Sequence, residues 1–174
     1  RAQFRAYLLE CDYVIQTCVK VLKRVHNGEL PFDRTVQVSV TDHLEKDQIL
    51  GRLPHNLATL EVLLMRNRRD YTIATSKSQP KPKRREAWSR LARRRRRAVR
   101  LVEELGLRTQ RIEPMIRTLE EFSRRIDELK ARIDAHKKAR GPADERKPWL
   151  REFRNLLVAA QETPSSLRNR LVKI

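Results

Sequence analysis

Five consecutive arginines, Arg93 to Arg97, stand in a stretch whose apolar residues recur every three or four positions: Trp88, Leu91, Ala98, Val102 and Leu105. Five residues cover more than one turn of an α-helix at about 3.6 residues per turn, so a single apolar face cannot hide all of their charges. Most of them must project toward water or an anion. On the seam drawn through the apolar positions, Arg95 faces inward, whereas Arg93, Arg94, Arg96, Arg97 and Arg100 point more outward. The field is concentrated: the chain carries +18 from 40 basic and 22 acidic residues, and segment 81–111, with 13 basic and three acidic residues, supplies +10 of it. Such a field raises encounter rates with nucleic acid or with an acidic protein surface, and charge alone does not choose between them.

Composition narrows the fold class. With 174 residues and 39% hydrophobic content the chain can build a modest core, and only four glycines, 5% aromatics and 36% charged residues argue for helices with thin apolar stripes. An all-α fold follows: an elongated antiparallel helical bundle or hairpin with short loops and no sheet. Cys11 and Cys18 lie seven residues apart on one helix face, roughly 10 Å from each other, too far for a disulfide within that helix. They read as buried reduced thiols of a cytoplasmic protein. No apolar run approaches the ~18 residues needed to span a bilayer, and no signal-peptide core is present. Because residue 1 is Arg rather than Met, the chain is expected to be cut from a longer protein.

Phe4, Leu8, Cys11, Ile15, Cys18, Leu22 and Val25 step by four and three, the seam of one amphipathic helix that Asn27-Gly28 ends. Within Leu30 to Val40, Thr35 to Val40 alternates like a strand but has no partner run, so the segment is expected to be an extended connector. Thr41 or Asp42 can cap a short helix that stops at Gly51, and Pro54 suits the first turn of the next, with Leu57, Leu60, Leu64 and Tyr71 on one face. Gln79 to Pro82 breaks the chain, and the arginine helix runs from about Arg84 to Leu105 with Gly106 as its stop. The next helix carries Met115, Leu119, Phe122, Ile126, Leu129, Ile133 and His136, and ends at Gly141-Pro142. At about 32 residues it is the longest, roughly 48 Å, more than the ~40 Å diameter of a compact globule of this size. Paired with the arginine helix it makes a hairpin. A further helix holds Trp149, Phe153, Leu156 and Ala160, and Thr163-Pro164 caps and opens a last one. The organisation is then an N-terminal helical part over 1–79, a basic hairpin over 80–141 and C-terminal helices over 142–174.

Catalytic chemistry finds no foothold in the residues. His26, His43, His55 and His136 are scattered, with no HExxH pair, and the two cysteines lack a CxxC partner, so no metal site, cofactor or catalytic residue is expected. Glu103-Glu104 and Glu120-Glu121 are adjacent pairs that point about 100° apart on a helix, and are expected to pair with neighbouring arginines. The candidate contact residues are Lys83, Arg84, Arg85, Arg93, Arg94, Arg96, Arg97 and Arg100. A merely solvated helix would interleave acids with bases, as Arg124, Arg125, Asp127, Glu128 and Lys130 do. No aromatic platform accompanies the basic residues, so contact with phosphates or carboxylates is expected rather than base readout.

Asn27 to Arg34 (NGELPFDR), Leu44 to Gly51 with Pro54 to Leu57, and Arg93 to Arg97 followed by Val99 to Leu105 resemble the insert between conserved regions 1.2 and 2 of primary, sigma-seventy-type RNA polymerase sigma factors of the planctomycete group. The resemblance spans essentially all of the chain but lies in the variable part of that family, and the helix pair that grips the polymerase and reads promoters is absent. It implies a helical module of a transcription initiation factor whose partners are the RNA polymerase core and promoter DNA, the latter met by phosphate contacts, with no membrane association. In that case the reading frame continues past Ile174 into region 2. The alternative is a free-standing structural or RNA-binding helical hairpin.

Overall fold

The computed structural model describes residues 2–38 and 45–174; the Thr41 and Asp42 caps and His43 lie outside these. Among the described residues there are eight α-helices and no strand, so the fold is all-α. The chain divides into two compact units, Arg1–Glu113 and Pro114–Ile174. That boundary falls inside the segment 80–141 read above as one hairpin.

The first unit holds α1 (Ala2–Leu9), α2 (Asp12–His26), a single turn α3 (Phe32–Thr35), α4 (Lys46–Thr75) and α5 (Lys81–Glu104). The seam expected to form one helix is broken at Glu10–Cys11, where Cys11 takes an extended conformation as the residue before α2. Asp12 then opens α2, where the helix dipole favours a carboxylate. The apolar seam survives the break, since Leu8, Cys11, Ile15, Cys18 and Leu22 are all fully buried. Gly28 ends the segment at φ 77° as expected.

The largest departure is α4. Gly51 and Pro54 were expected to separate two helices, yet one 30-residue helix runs through both. It begins after Glu45, whose N–H donates to Gln48 Oε1 at 3.3 Å. An interior proline costs about 3 kcal/mol by removing a donor and crowding the preceding turn. On either side of it Ile49, Leu53, Leu57 and Leu60 are buried, each contributing about 1.5–3 kcal/mol. Burial on both flanks outweighs the break. At 30 residues α4 exceeds the 25-residue α6, which was expected to be the longest helix.

A five-residue loop returns the chain antiparallel to α4 as α5. The register is fixed by side chains: Asn56 Nδ2 donates to Leu101 O at 3.2 Å and to Glu104 Oε2 at 3.1 Å, while Asn67 Oδ1, three turns further along α4, accepts from Arg94 Nη1 at 3.3 Å. The sequence paired α5 with α6; the hairpin it forms is with α4, and α2 packs across both. The connector, expected to be extended, instead folds into the α3 turn over Phe32–Thr35 and is extended only after it, where one antiparallel bridge, Val36 to Leu107, pins it. Gln37 N–H donates to Gly106 O at 2.8 Å and Arg108 N–H to Thr35 O at 3.0 Å.

In the second unit α6 (Pro114–Lys138) lies against α7 (Ala143–Ala160) and α8 (Pro164–Lys173). Met115, Leu119, Ile126, Leu129 and Ile133 form its buried stripe. Arg125 binds Glu152 of α7 in a fork, Nε to Oε1 at 2.7 Å and Nη2 to Oε2 at 2.9 Å. Thr163 caps α8 as its sequence predicts, accepting from Ser166 N–H at 3.1 Å. Glu162, wholly buried, is held by Ser166 Oγ at 2.5 Å and Arg170 Nε at 2.8 Å. Among the described residues, no helix is long and apolar enough to cross a membrane.

Candidate nucleic-acid interface

The arginine run divides into two sets. Arg95 is buried, as its phase on the seam predicts, and donates from Nε to Asp12 Oδ1 at 3.0 Å; its guanidinium also lies 5.6 Å from the centre of the Trp88 ring. Asp12, only 1% exposed, accepts a second bond from Asn67 Nδ2 at 3.2 Å. Arg94 departs from the outward placement expected of it. Its Nη1 donates to Asp70 Oδ2 at 2.5 Å as well as to Asn67, and Arg90 holds the same carboxylate through Nε at 3.2 Å and Nη2 at 2.9 Å. Both are reached because positions 90 and 94 lie one turn apart on the side of α5 that meets α4. Burial pushes the Asp70 carboxyl up, but the hydrogen bonds and charges of Arg90 and Arg94 outweigh it and hold the carboxyl below its ordinary range.

Arg93, Arg96, Arg97 and Arg100 are exposed, and among the described residues none of them pairs with a carboxylate. Lys83 and Arg85 are exposed as well; Arg84 is half-buried, with its Nε enclosed and lacking a hydrogen-bond acceptor. Of the eight candidate contact residues, the structure thus leaves six on the surface and draws Arg84 and Arg94 inward. Glu104, expected to neutralise an arginine, is instead the acceptor for Asn56.

Two exposed arginines of α4, Arg66 and Arg69, lie beside Asn67 and Asp70 and were not singled out from sequence. Their signal is weak in one dimension. Arg66, Arg68 and Arg69 read as the polar side of an ordinary surface helix until the register places them level with Arg90 to Arg97.

Nothing in the described residues gathers three or more His, Cys, Asp or Glu around a possible metal. His26 and His55 are exposed, and His136 contacts Glu145 Oε2 at 2.8 Å and Arg146 at 3.1 Å across the α6–α7 turn. Cys11 and Cys18 are buried thiols not joined in a disulfide, and burial pushes the Cys18 thiol up to about 12. An open groove of about 260 Å³ on α7 is lined by Lys147, Leu150, Arg151, Arg154 and Asn155, which supply cations and an amide but no nucleophile or acid.

The chain matches no protein-family model, no curated protein and no solved structure.

Proposed function

We propose that this chain is a non-catalytic helical module of a bacterial transcription initiation factor of the primary sigma type, which lays the outward arginines of α5 against the phosphates of promoter DNA beside the RNA polymerase core. The observation that carries the reading is the uncompensated surface formed by Arg93, Arg96, Arg97 and Arg100 on a helix where Arg90, Arg94 and Arg95 are instead neutralised by Asp70 and Asp12. A helix needing charge only for solvation would match these four with acids, as Glu128 matches Arg125 one turn earlier on α6. The word order of the segments cited above supports the sigma assignment. A cytoplasmic setting follows from it.

The test has two arms. Immobilised chain is offered purified core polymerase and, separately, a duplex of promoter length across a salt series; the variant replaces Arg93, Arg96, Arg97 and Arg100 by Gln, nearly as good a helix former. The reading predicts retention of polymerase, and DNA binding whose log affinity falls with log salt by about 0.9 per neutralised phosphate, with that slope flattened in the variant. Binding of neither partner at low salt would overturn it. Unchanged DNA binding by the variant would remove α5 from the contact.

A further inference from the structure

The antiparallel register makes α4 and α5 share one open face. Arg66 and Arg69 each precede by one residue a side chain that reaches toward α5, Asn67 and Asp70 respectively. A step back along a helix turns the side chain by about 100°. On α5, Arg93 stands one step before Arg94, which reaches toward α4, and Arg97 and Arg100 fall on the same side of it. In two antiparallel helices, equal backward rotations from the mutual contact line lead to the same side of the pair. Arg66, Arg69, Arg93, Arg97 and Arg100 therefore share a face, all exposed. It is the face away from α2, because Asp12 of α2 meets Arg95, which is rotated the other way.

The acids of this face stand at its two ends. Glu86 lies beside Arg90 at 4.0 Å, and Glu104 is bound to Asn56. Between them the surface holds two rows of cations. Helices packed in this way have axes about 8–10 Å apart, and within each row the arginines follow at three- or four-residue steps, about 4.5–6 Å. A single nucleic-acid strand could occupy only one row, and strands of that kind are gripped by stacking on aromatic rings. Among the described residues, α4 and α5 place no aromatic ring on this face; Trp88, half-buried under Arg95, is on the other side of α5. A duplex presents two phosphate chains on either side of a minor groove about 6 Å wide. Flexible arginine arms from rows at this separation can follow both chains at once.

We propose that the α4–α5 face opposite α2 is a two-row phosphate-binding surface for duplex nucleic acid, with Arg66 and Arg69 as the second row. This rests on the function proposed above and extends it to α4. The test measures anisotropy of a labelled DNA duplex and of one of its strands, titrated with the 174-residue chain over about 50–200 mM salt. The same titrations are made with Arg66→Gln/Arg69→Gln and with Arg93→Gln/Arg97→Gln/Arg100→Gln, both checked for unchanged helicity by circular dichroism. The expected result is tighter binding of duplex than of strand, with a log–log salt slope that the α4 double variant reduces by about 1.8, two phosphates at about 0.9 each. If the α5 variant flattens the slope and the α4 variant leaves it intact, the second row is overturned and the function proposed for α5 stands. Equal affinity for strand and duplex overturns the duplex assignment. Capture of core polymerase through these arginines without DNA binding assigns the face to an acidic protein and overturns the inference, and binding of neither sinks both readings.

Discussion

At the scale of single residues, space and backbone conformation assign opposite signs to substitutions that look alike. Gly51 sits exposed within α4, and a Cβ there would meet no atom within 4 Å. Gly51→Ala should stabilise the chain by about 1 kcal/mol, the helix-propensity difference between the two residues. Gly106 has φ 65°, and a Cβ would stand 2.7 Å from Gln37 O, beside the bridge that pins the connector. Gly106→Ala should therefore destabilise by at least 1–2 kcal/mol, roughly, since left-handed strain and the clash with backbone act together. Urea midpoints of the two variants on either side of wild type would check both signs; equal shifts would contradict the account. Asp70 adds a pH dependence. Its folded carboxyl titrates below the ordinary 3.8, so its contribution is fully present above that value and is lost as pH falls through the lower, folded one. Glu152, lowered by the hydrogen bonds from Arg125, acts with the same sign. Stability should decline on acidification below about pH 4, and Asp70→Asn should remove part of that decline while lowering stability at neutral pH by about 1–3 kcal/mol through the weakened bonds to Arg90 and Arg94.

Among the elements, α2, α4 and α5 are joined by a buried polar seam as well as an apolar one. Arg95→Met would leave the Asp12 carboxylate buried without its arginine, at a cost of about 3–5 kcal/mol. Adding Asp12→Leu should recover most of that loss, because an apolar pair of similar volume no longer carries a charge out of water. A double-mutant cycle by chemical denaturation measures the coupling, and additive losses would show that the pair is not the connection it is taken to be. The periodic seams made most helices readable in advance, along with Arg95's inward phase and the Thr163 cap. Where reading failed, long-range packing had overruled a local signal. Gly51 and Pro54 announce a boundary, but Leu53 and Leu57 are buried on a helix that packs against α2 and α5, elements it does not adjoin at that end. Arg94 looked outward because Asn67 and Asp70, the residues that draw it in, are 27 and 24 positions away. Arg66 and Arg69 carried no mark of their own until pairing set them beside α5.

For the whole molecule, the boundary between Glu113 and Pro114 makes a prediction about autonomy. The Asp12, Asn67, Asp70, Arg90, Arg94 and Arg95 network lies wholly within the first unit. A chain ending at Glu113 should fold cooperatively, keep its helicity and bury both cysteines against thiol reagents; a non-cooperative melt or rapid labelling would show that the first unit depends on the second. The division of the arginine run also bears on how such a chain can drift. A phosphate takes lysine as readily as arginine when only a point charge is needed, so Arg93, Arg96, Arg97 and Arg100 can exchange with lysine at little cost. At Arg90 the fork onto Asp70 uses two nitrogens at once, and at Arg95 the Nε bond and the contact with Trp88 belong to a planar guanidinium. Five letters that look like one word should thus change at different rates, the exposed ones wandering between the two cations while the inward ones stay arginine.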